Sequence, residues 1–421
     1  MKVPQKHILK YILLILFIGA FAYLYNYYFT PYEQERTFSK IDPKLPTTIV
    51  AVASQNNKIT QNILTNLETI NKTKQNIVYS TNTKLSRYQI NKLKPYVNHI
   101  IADTKNKNKW FLYKKALVWL LVSNKNKHTP KLIYIKENIN KIYTPKPSIN
   151  TFSSSPKRYA VFAGYNKDSI IEPYIITYLK GLNEVTSGIV YIADSPLKEG
   201  ELDKLKDINI LYTQHQKHHK YDFGSYAIGY NWLKDNGYLK NADELIFAND
   251  SAYAPLTSFK PIFEKMNTQT ELDFWGITQG RQFVSHLCSY FLVYRANVFN
   301  SFEFHEILNT IPSSLDHTSA IFEYELKITP YLESLGYKWD TYIPYEDLEY
   351  LPYEAKDWYP LSLISKHKNQ FFKRRVYNDE DFSQENIFEL LDYLKQNHPQ
   401  TYQDVIFANH KLLQSPKDKD N

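Results

Sequence analysis

ELIFANDSAYAPL, from Glu244 to Leu256, is the stretch on which the fold turns. Its first five residues end in an apolar run, and Asn249, Asp250 and Ser251 are short polar residues that end strands and build tight turns. A short apolar run closed in this way predicts a strand buried on both faces, as in a parallel sheet covered by helices. In open sheets of that type ligands gather beyond the carboxyl ends of the strands, where Asp250 would stand. A carboxylate there suits Mg²⁺ or Mn²⁺, ions that keep several waters and are completed by substrate phosphates. The same three residues also suit an Asx turn that merely caps the next segment.

Outward from this strand the pattern recurs. YAVFAGY (Tyr159 to Tyr165), GIVYIAD (Gly188 to Asp194) and INILY (Ile208 to Tyr212) read as strands. Amphipathic segments over Ile170 to Leu182 and Gly224 to Asn236 read as helices between them. Upstream, TIVAVAS (Thr48 to Ser54), NIVYS (Asn76 to Ser80), HIIAD (His99 to Asp103) and KLIYI (Lys131 to Ile135) are strands. Helices are expected over Ile59 to Ile70 and Trp110 to Val122. Each strand of the first set recurs about 110 residues later, which predicts an internal duplication of two βαβ-type halves. A polar loop, YTPKPSINTFSSSP (Tyr143 to Pro156), separates them.

Composition narrows the class. The chain has 421 residues, room for two or three domains, and its 43% hydrophobic and 22% charged residues exclude wholesale disorder. One cysteine, Cys288, excludes an internal disulfide framework and a cysteine-built zinc site. The net charge of +8 suits an anionic partner, but the lysines are scattered and not striped, and no nucleic-acid partner is expected. Tyr11 to Phe29 is an uncharged run of nineteen residues, about 28 Å as a helix, long enough to cross a bilayer core. A retained single anchor is expected over a cleaved signal peptide. Three basic residues flank each side, so the positive-inside count ties.

The second half carries features that the first lacks. YDFGSY (Tyr221 to Tyr226) lies at a loop-to-helix junction, where Gly224 is expected to let backbone N–H groups approach an anion and Ser225 to cap the helix or meet a ligand. Packing alone would explain the glycine equally well. Lys373, Arg374 and Arg375 form a basic run suited to leaving-group phosphates or to a membrane surface. Glu325 is the candidate base, with Glu323 and Asp316 as rivals; His286 could reach a phosphate or an acceptor. His215, His218 and His219 have metal-like spacing, yet beside two lysines in a polar loop they read as exposed surface.

From Arg158 to about Tyr377 the chain resembles the rhamnan synthesis F family of bacterial polysaccharide glycosyltransferases. The match runs through VFAGY (Val161 to Tyr165) with Asp168, KYDFGSYAIGYNWL (Lys220 to Leu233), ELIFANDSAYAPL, DFWGIT (Asp273 to Thr278), HLCSYFLVYR (His286 to Arg295), YELKITPYLESLGY (Tyr324 to Tyr337) and LISKHKNQFFKRR (Leu363 to Arg375). The resemblance implies a GT-A-like (Rossmann-like) α/β fold that binds a nucleotide-diphospho-sugar. It places Tyr165 and Asp168 near the nucleotide, and Tyr221, Asp222, Gly224 and Ser225 on the nucleotide-sugar side with Asn249 and Ser251. Asp250 then stands where such folds keep an acidic metal ligand. Asn249-Asp250-Ser251 offers one carboxylate in place of the Asp-x-Asp pair usual there.

The expected organisation is a tail and transmembrane helix (1–30), a linker (31–46), a degenerate α/β unit (47–145), a second linker (146–157), the transferase domain (158–377) and a C-terminal helical region (378–421). The expected activity is transfer of a sugar such as rhamnose from a nucleotide-diphospho-sugar to a polysaccharide or lipid-linked acceptor at the bacterial inner membrane, with the catalytic domain in the cytoplasm. The alternative is a noncatalytic glycan- or nucleotide-binding scaffold of a polysaccharide synthesis complex. Phosphoryl transfer onto polysaccharide ranks last, because no P-loop or kinase signature is present.

Overall fold

The computed structural model describes residues 156–281, 284–315, 317–347, 360–374 and 384–413, and before them 31–32, 36–37, 47–53, 63–64, 67–68, 71, 76–81, 85–102 and 131–136. The chain forms two compact units, Met1–Pro145 and Lys146–Asn421. The apolar run Tyr11 to Phe29 and the helix expected over Trp110 to Val122 lie outside the described residues, as does most of the one over Ile59 to Ile70. Among the described residues no helix is long and apolar enough to cross a membrane.

In the smaller unit β1 (Thr47–Ala53), β2 (Asn76–Thr81), α1 (Arg87–Leu93), β3 (His99–Ala102) and β4 (Lys131–Lys136) follow in chain order. Its sheet has the order β3-β2-β1-β4, all parallel, with Arg36–Thr37 added antiparallel on β3. Val50, Ile77, Tyr79 and Ile100 from the strands and Ile90 and Leu93 from α1 fill its core.

The larger unit starts with β5 (Arg158–Gly164), α2 (Pro173–Asn183), β6 (Ile189–Ala193), β7 (Ile210–His215), α3 (Tyr221–Asp235) and β8 (Glu244–Asn249). It continues with α4 (Lys260–Asn267), β9 (Phe274–Gly276), β10 (Phe291–Arg295), α5 (Leu326–Ser334) and β11 (Trp339–Thr341), and finishes with α6 (Gln384–Asn397) and α7 (Pro399–Leu413). The strand order is β7-β6-β5-β8-β10-β9-β11. β5 to β8 are parallel, whereas β10 runs antiparallel to both its neighbours, so the sheet is mixed. The first four strands of each unit share one order, third-second-first-fourth, which is what a duplicated unit requires.

Every residue of β5 and β8 is buried, as the unbroken apolar runs require. Side chains alternate between two covered faces. Ala160, Phe162, Ile246 and Ala248 join the core under α2, with Tyr174, Tyr178 and Leu182. On the opposite face Tyr226 of α3 stacks on Phe247 at 4.5 Å, and a Cβ at Gly229 would run into Val161. α3 therefore lies close against β5 because Gly229 has no side chain. Truncating Phe247 to alanine would cost about 3–5 kcal/mol.

α6 and α7 share this core through Leu390, Leu391, Leu394 and Val405. Two polar bonds hold α7 in place. Thr177 donates to Asp404 at 2.6 Å, and the Asn409 amide donates to the Tyr253 hydroxyl at 2.7 Å.

Candidate functional site

From β5 the chain moves outward to β6 and β7, then returns to the other side of β5 as β8. The carboxyl ends of β5 and β8 therefore form the switch point at which open α/β sheets bind ligands. Tyr165 and Asp250 are the first residues beyond these two strands. The Tyr165 N–H donates to Asp250 Oδ2 at 2.8 Å, and the Asp250 N–H donates to the Ala163 carbonyl at 3.2 Å. Asn249 forms the Asx turn: its Oδ1 accepts from the N–H of Ser251 at 3.1 Å and from its hydroxyl at 2.6 Å. The turn and the presentation of Asp250 are one structure.

Asn249 also donates through Nδ2 to Asp222 Oδ2 at 2.6 Å, which joins the end of β8 to the first turn of α3. A carboxylate in that turn is favoured by the helix dipole. α3 begins at Tyr221, three residues before the start that its glycine suggests, so the expected role of Gly224 is corrected. Its N–H donates to the Lys220 carbonyl at 3.1 Å and is not free for an anion. The glycine is there because a Cβ would meet the Lys220 side chain and the His218 ring.

The third side comes from HLCSYFLVYR and the helical run after it. Residues 321–325 form a π-helical turn within the helical run, and Glu325 ends it. Such turns are frequent at functional sites. Glu325 Oε1 accepts from the Ser289 N–H at 2.9 Å and from its hydroxyl at 3.1 Å, bonds that fix where the carboxylate points. The Ser289 carbonyl in turn accepts from the Tyr226 hydroxyl at 3.1 Å, so α3 and the Ser289 turn are locked together. Glu323 instead pairs with the buried Lys327 at 3.3 Å.

Lys373 and Arg374 enter through a two-residue ladder in which Ala252–Tyr253 pairs with Phe372–Lys373. Arg374 donates from Nη1 to the Asp250 carbonyl at 3.1 Å, stacks over Tyr174 at 4.6 Å and lies 3.8 Å from Glu172. Lys373 lies over the Tyr290 ring at 4.2 Å.

The charges are mutually sensed. The Asp222 carboxyl is pushed up to about 7 by burial first, then by the negative charges of Asp250 and Glu325, with the Asn249 bond and Lys373 opposing. Burial also raises Asp250, against the pull of Arg374 and the Tyr165 N–H. Asp222, Asp250, Glu325, Lys373 and Arg374 thus form one electrostatic cluster, and both aspartates are only partly exposed.

The remaining candidates take other places. Tyr165 and Tyr221 are exposed, and the Tyr221 ring lies 5.8 Å from that of His317. Asp168 is exposed on the loop after β5, its N–H bonded to Asn166. His286 is buried, its Nδ1 bonded to the Val284 carbonyl at 2.8 Å, the satisfied structural histidine that its sequence context also allowed. Ser225 is buried and bonds His218. Asp316 and Arg375 lie outside the described residues.

His218 corrects the reading of 215–219 as exposed surface. It is half-buried, with Nε2 2.9 Å from Ser225 Oγ and its own N–H on Asp194 at 2.5 Å. The sequence reading missed Asp194 and Glu172. Asp194 follows the end of β6 directly, so the rule that singled out Asp250 would have found it. Glu172 has no such signal.

Among the described residues no group of three His, Cys, Asp or Glu side chains is placed to hold a metal ion. Asp250, with Asp222 beside it, fits a divalent cation that takes one or two protein carboxylates and is completed by waters and phosphate oxygens. The repulsion that raises Asp222 is what a cation would relieve.

Sheet and site together define an α/β protein with a cluster of acidic and basic side chains at its switch point. A family model described as rhamnan synthesis protein F matches residues 189–419, and the chain belongs to that family. The virulence protein VirA of Vibrio anguillarum is 27% identical over 206 residues, 47% of this chain and 63% of that protein, so the chain spans less than two thirds of this relative. Core-mannan synthase A from Aspergillus fumigatus, in a Mn/GDP form, is similar over 45% of this chain and 72% of its own, with TM-score 0.27 and 11% identity. The mannosyltransferase PcManGT from Pyrobaculum calidifontis, in complex with GDP-Man and Mn²⁺, is similar over 73% and 84%, with TM-score 0.29 and 12% identity.

Proposed function

We propose that the protein is a glycosyltransferase with a GT-A-like catalytic unit, moving a sugar from a nucleotide-diphospho-sugar to a saccharide acceptor in polysaccharide synthesis. The observation that carries this is the meeting of Asp250, Asp222, Glu325, Lys373 and Arg374 at the carboxyl ends of β5 and β8. Sugar transfer needs a stabilised diphosphate leaving group, a base for the acceptor hydroxyl and a fixed geometry. Lys373 and Arg374 offset the charge that develops on the diphosphate. Glu325, oriented by Ser289, takes the proton of the acceptor hydroxyl as that hydroxyl's oxygen bonds the anomeric carbon and the bond to the diphosphate breaks. Asp250 would hold Mg²⁺ or Mn²⁺, which would supply further positive charge against the leaving diphosphate. Tyr165 faces the nucleotide side, and Tyr221 with His317 offers an aromatic face to the acceptor.

Membership of the rhamnan synthesis F family supports rhamnose or a related deoxysugar as the donor sugar. The apolar run Tyr11 to Phe29 supports a single-pass anchor in the bacterial inner membrane, with the transferase on the cytoplasmic side where nucleotide sugars are made. The lone carboxylate of Asn249-Asp250-Ser251, in place of an Asp-x-Asp pair, favours a second reading, a noncatalytic scaffold that binds nucleotide or glycan. A nucleotide-sugar panel assayed for nucleoside diphosphate release, with and without Mn²⁺, separates the two. Turnover supports the enzyme. Thermal stabilisation by nucleoside diphosphates without turnover supports the scaffold.

A further inference from the structure

Asp194, His218 and Ser225 form a chain resembling a hydrolytic triad, but its polarity is reversed. His218 Nδ1 lies 3.5 Å from Asp194 Oδ1, while the Lys220 N–H donates to the same Nδ1 at 3.2 Å. An amide N–H can only donate, so Nδ1 is unprotonated and the neutral ring carries its proton on Nε2. That proton points at Ser225 Oγ, 2.9 Å away. A histidine that donates to the serine cannot draw a proton from it, and Ser225 is 1% exposed, so no nucleophile is being activated.

What the chain does is hold a corner. Asp194 Oδ1 accepts from the N–H groups of both His218 and His219, at 2.5 and 3.0 Å. His219 and Tyr221 have φ of 59° and 51°, left-handed conformations that cost non-glycine residues of order 1–3 kcal/mol unless their surroundings impose them. The His219 carbonyl is tied to the Leu315 N–H at 2.7 Å, and the His218 ring fits because Gly224 lacks a Cβ. The residue that leaves this corner is Asp222.

We infer that His218 is a positioning residue: with its N–H on Asp194 and its ring between the Lys220 N–H and Ser225, it imposes the left-handed corner at His219–Tyr221 and so sets the Asp222 carboxylate against Asn249 and Asp250. The catalytic consequence rests on the transferase reading above; the structural one does not.

Two measurements on the full-length chain test this. In hydrogen exchange, His218→Ala should speed exchange of the His218, His219 and Lys220 amides at least tenfold, leaving β5 and β8 unchanged. In a kinetic double-mutant cycle, His218→Ala should lower kcat about tenfold or more in the wild-type background and less than twofold with Asp222→Asn already present, because both act through one carboxylate. His218→Asn, which keeps an acceptor for the Lys220 N–H, should recover part of the loss. Equal fold losses in both backgrounds, or unchanged exchange at the corner, overturn the inference. Should His218→Ala fail to fold, His218→Asn and Ser225→Ala carry both arms. A wild type without turnover removes the transferase reading, and exchange alone then decides the corner.

Discussion

The Tyr165 N–H, first beyond β5, donates at 2.8 Å to Oδ2 of Asp250, first beyond β8. One hydrogen bond thus joins the ends of the two central strands and fixes the Asp250 carboxylate. Asp250→Asn keeps an oxygen for Tyr165 and removes only the charge. We expect kcat for donor turnover to fall by at least about a hundredfold, the scale of losing one group that stabilises transition-state charge, with little change in melting temperature. Full activity in that variant would end the role assigned to Asp250.

Asp222 makes stability depend on pH. Its carboxyl titrates at about 7 in the folded chain, against about 3.9 when unfolded. Between these values the native state holds a proton that the unfolded chain has released, so stability falls as pH rises through the window. Asp222→Asn removes the slope. Denaturant titrations at pH 5 and pH 8 should show wild type losing on the order of 2 kcal/mol relative to the variant, after discounting for partial exposure. A difference independent of pH would contradict the assignment.

Glu325→Gln tests the base. The amide oxygen still accepts from Ser289, so the turn is kept while proton acceptance is lost. We expect kcat to drop about 10²- to 10⁴-fold, the usual share of general-base catalysis, and donor affinity by calorimetry to stay within twofold. Weakened donor binding would place Glu325 on the nucleotide side instead.

Tyr221 is exposed in the left-handed corner with its ring near His317, and the proposed function assigns it to the acceptor. Tyr221→Ala should raise the acceptor KM about two- to tenfold, matching the roughly 0.5–1.5 kcal/mol of an aromatic contact, with the donor KM unchanged. The opposite split would assign the ring to the donor.

What the sequence made legible follows the range of each signal. Short apolar runs identified all four parallel strands of each unit; β5 and β8 are buried along their whole length, whereas the edge strand β7 is half-buried and extends past its apolar run into Thr213, Gln214 and His215. Asn249-Asp250-Ser251 pointed to the cleft because turn chemistry and strand ends are local. The sequence reads Gly224 as a helix opening, whereas α3 starts at Tyr221 and the glycine makes room for Lys220 and the His218 ring, a contact made only in three dimensions. His218 was taken for surface because a polar loop hides that Asp194, 24 residues earlier, folds against it. The pairing of Glu172 with Arg374 joins residues about two hundred positions apart and leaves no periodic trace.

The far end of β8 predicts an effect on stability alone. Glu244 is fully buried between Arg158, with Nε at 2.5 Å, and Arg295, with Nε at 3.6 Å. Arg295 also donates to the Gln269 and Met266 carbonyls at the end of α4. Glu244→Gln removes the carboxylate that stands between two buried guanidinium groups, a loss of about 3–5 kcal/mol. In a unit of this size that is roughly a 10 °C fall in melting temperature. Glu244 and Asp250 stand roughly 20 Å apart along one strand and share no partner, so their effects should add. Glu244→Gln should therefore retain wild-type turnover per folded molecule at a temperature where it stays folded. A kcat loss beyond about threefold in that variant would mean that the base of the sheet and the cleft are coupled.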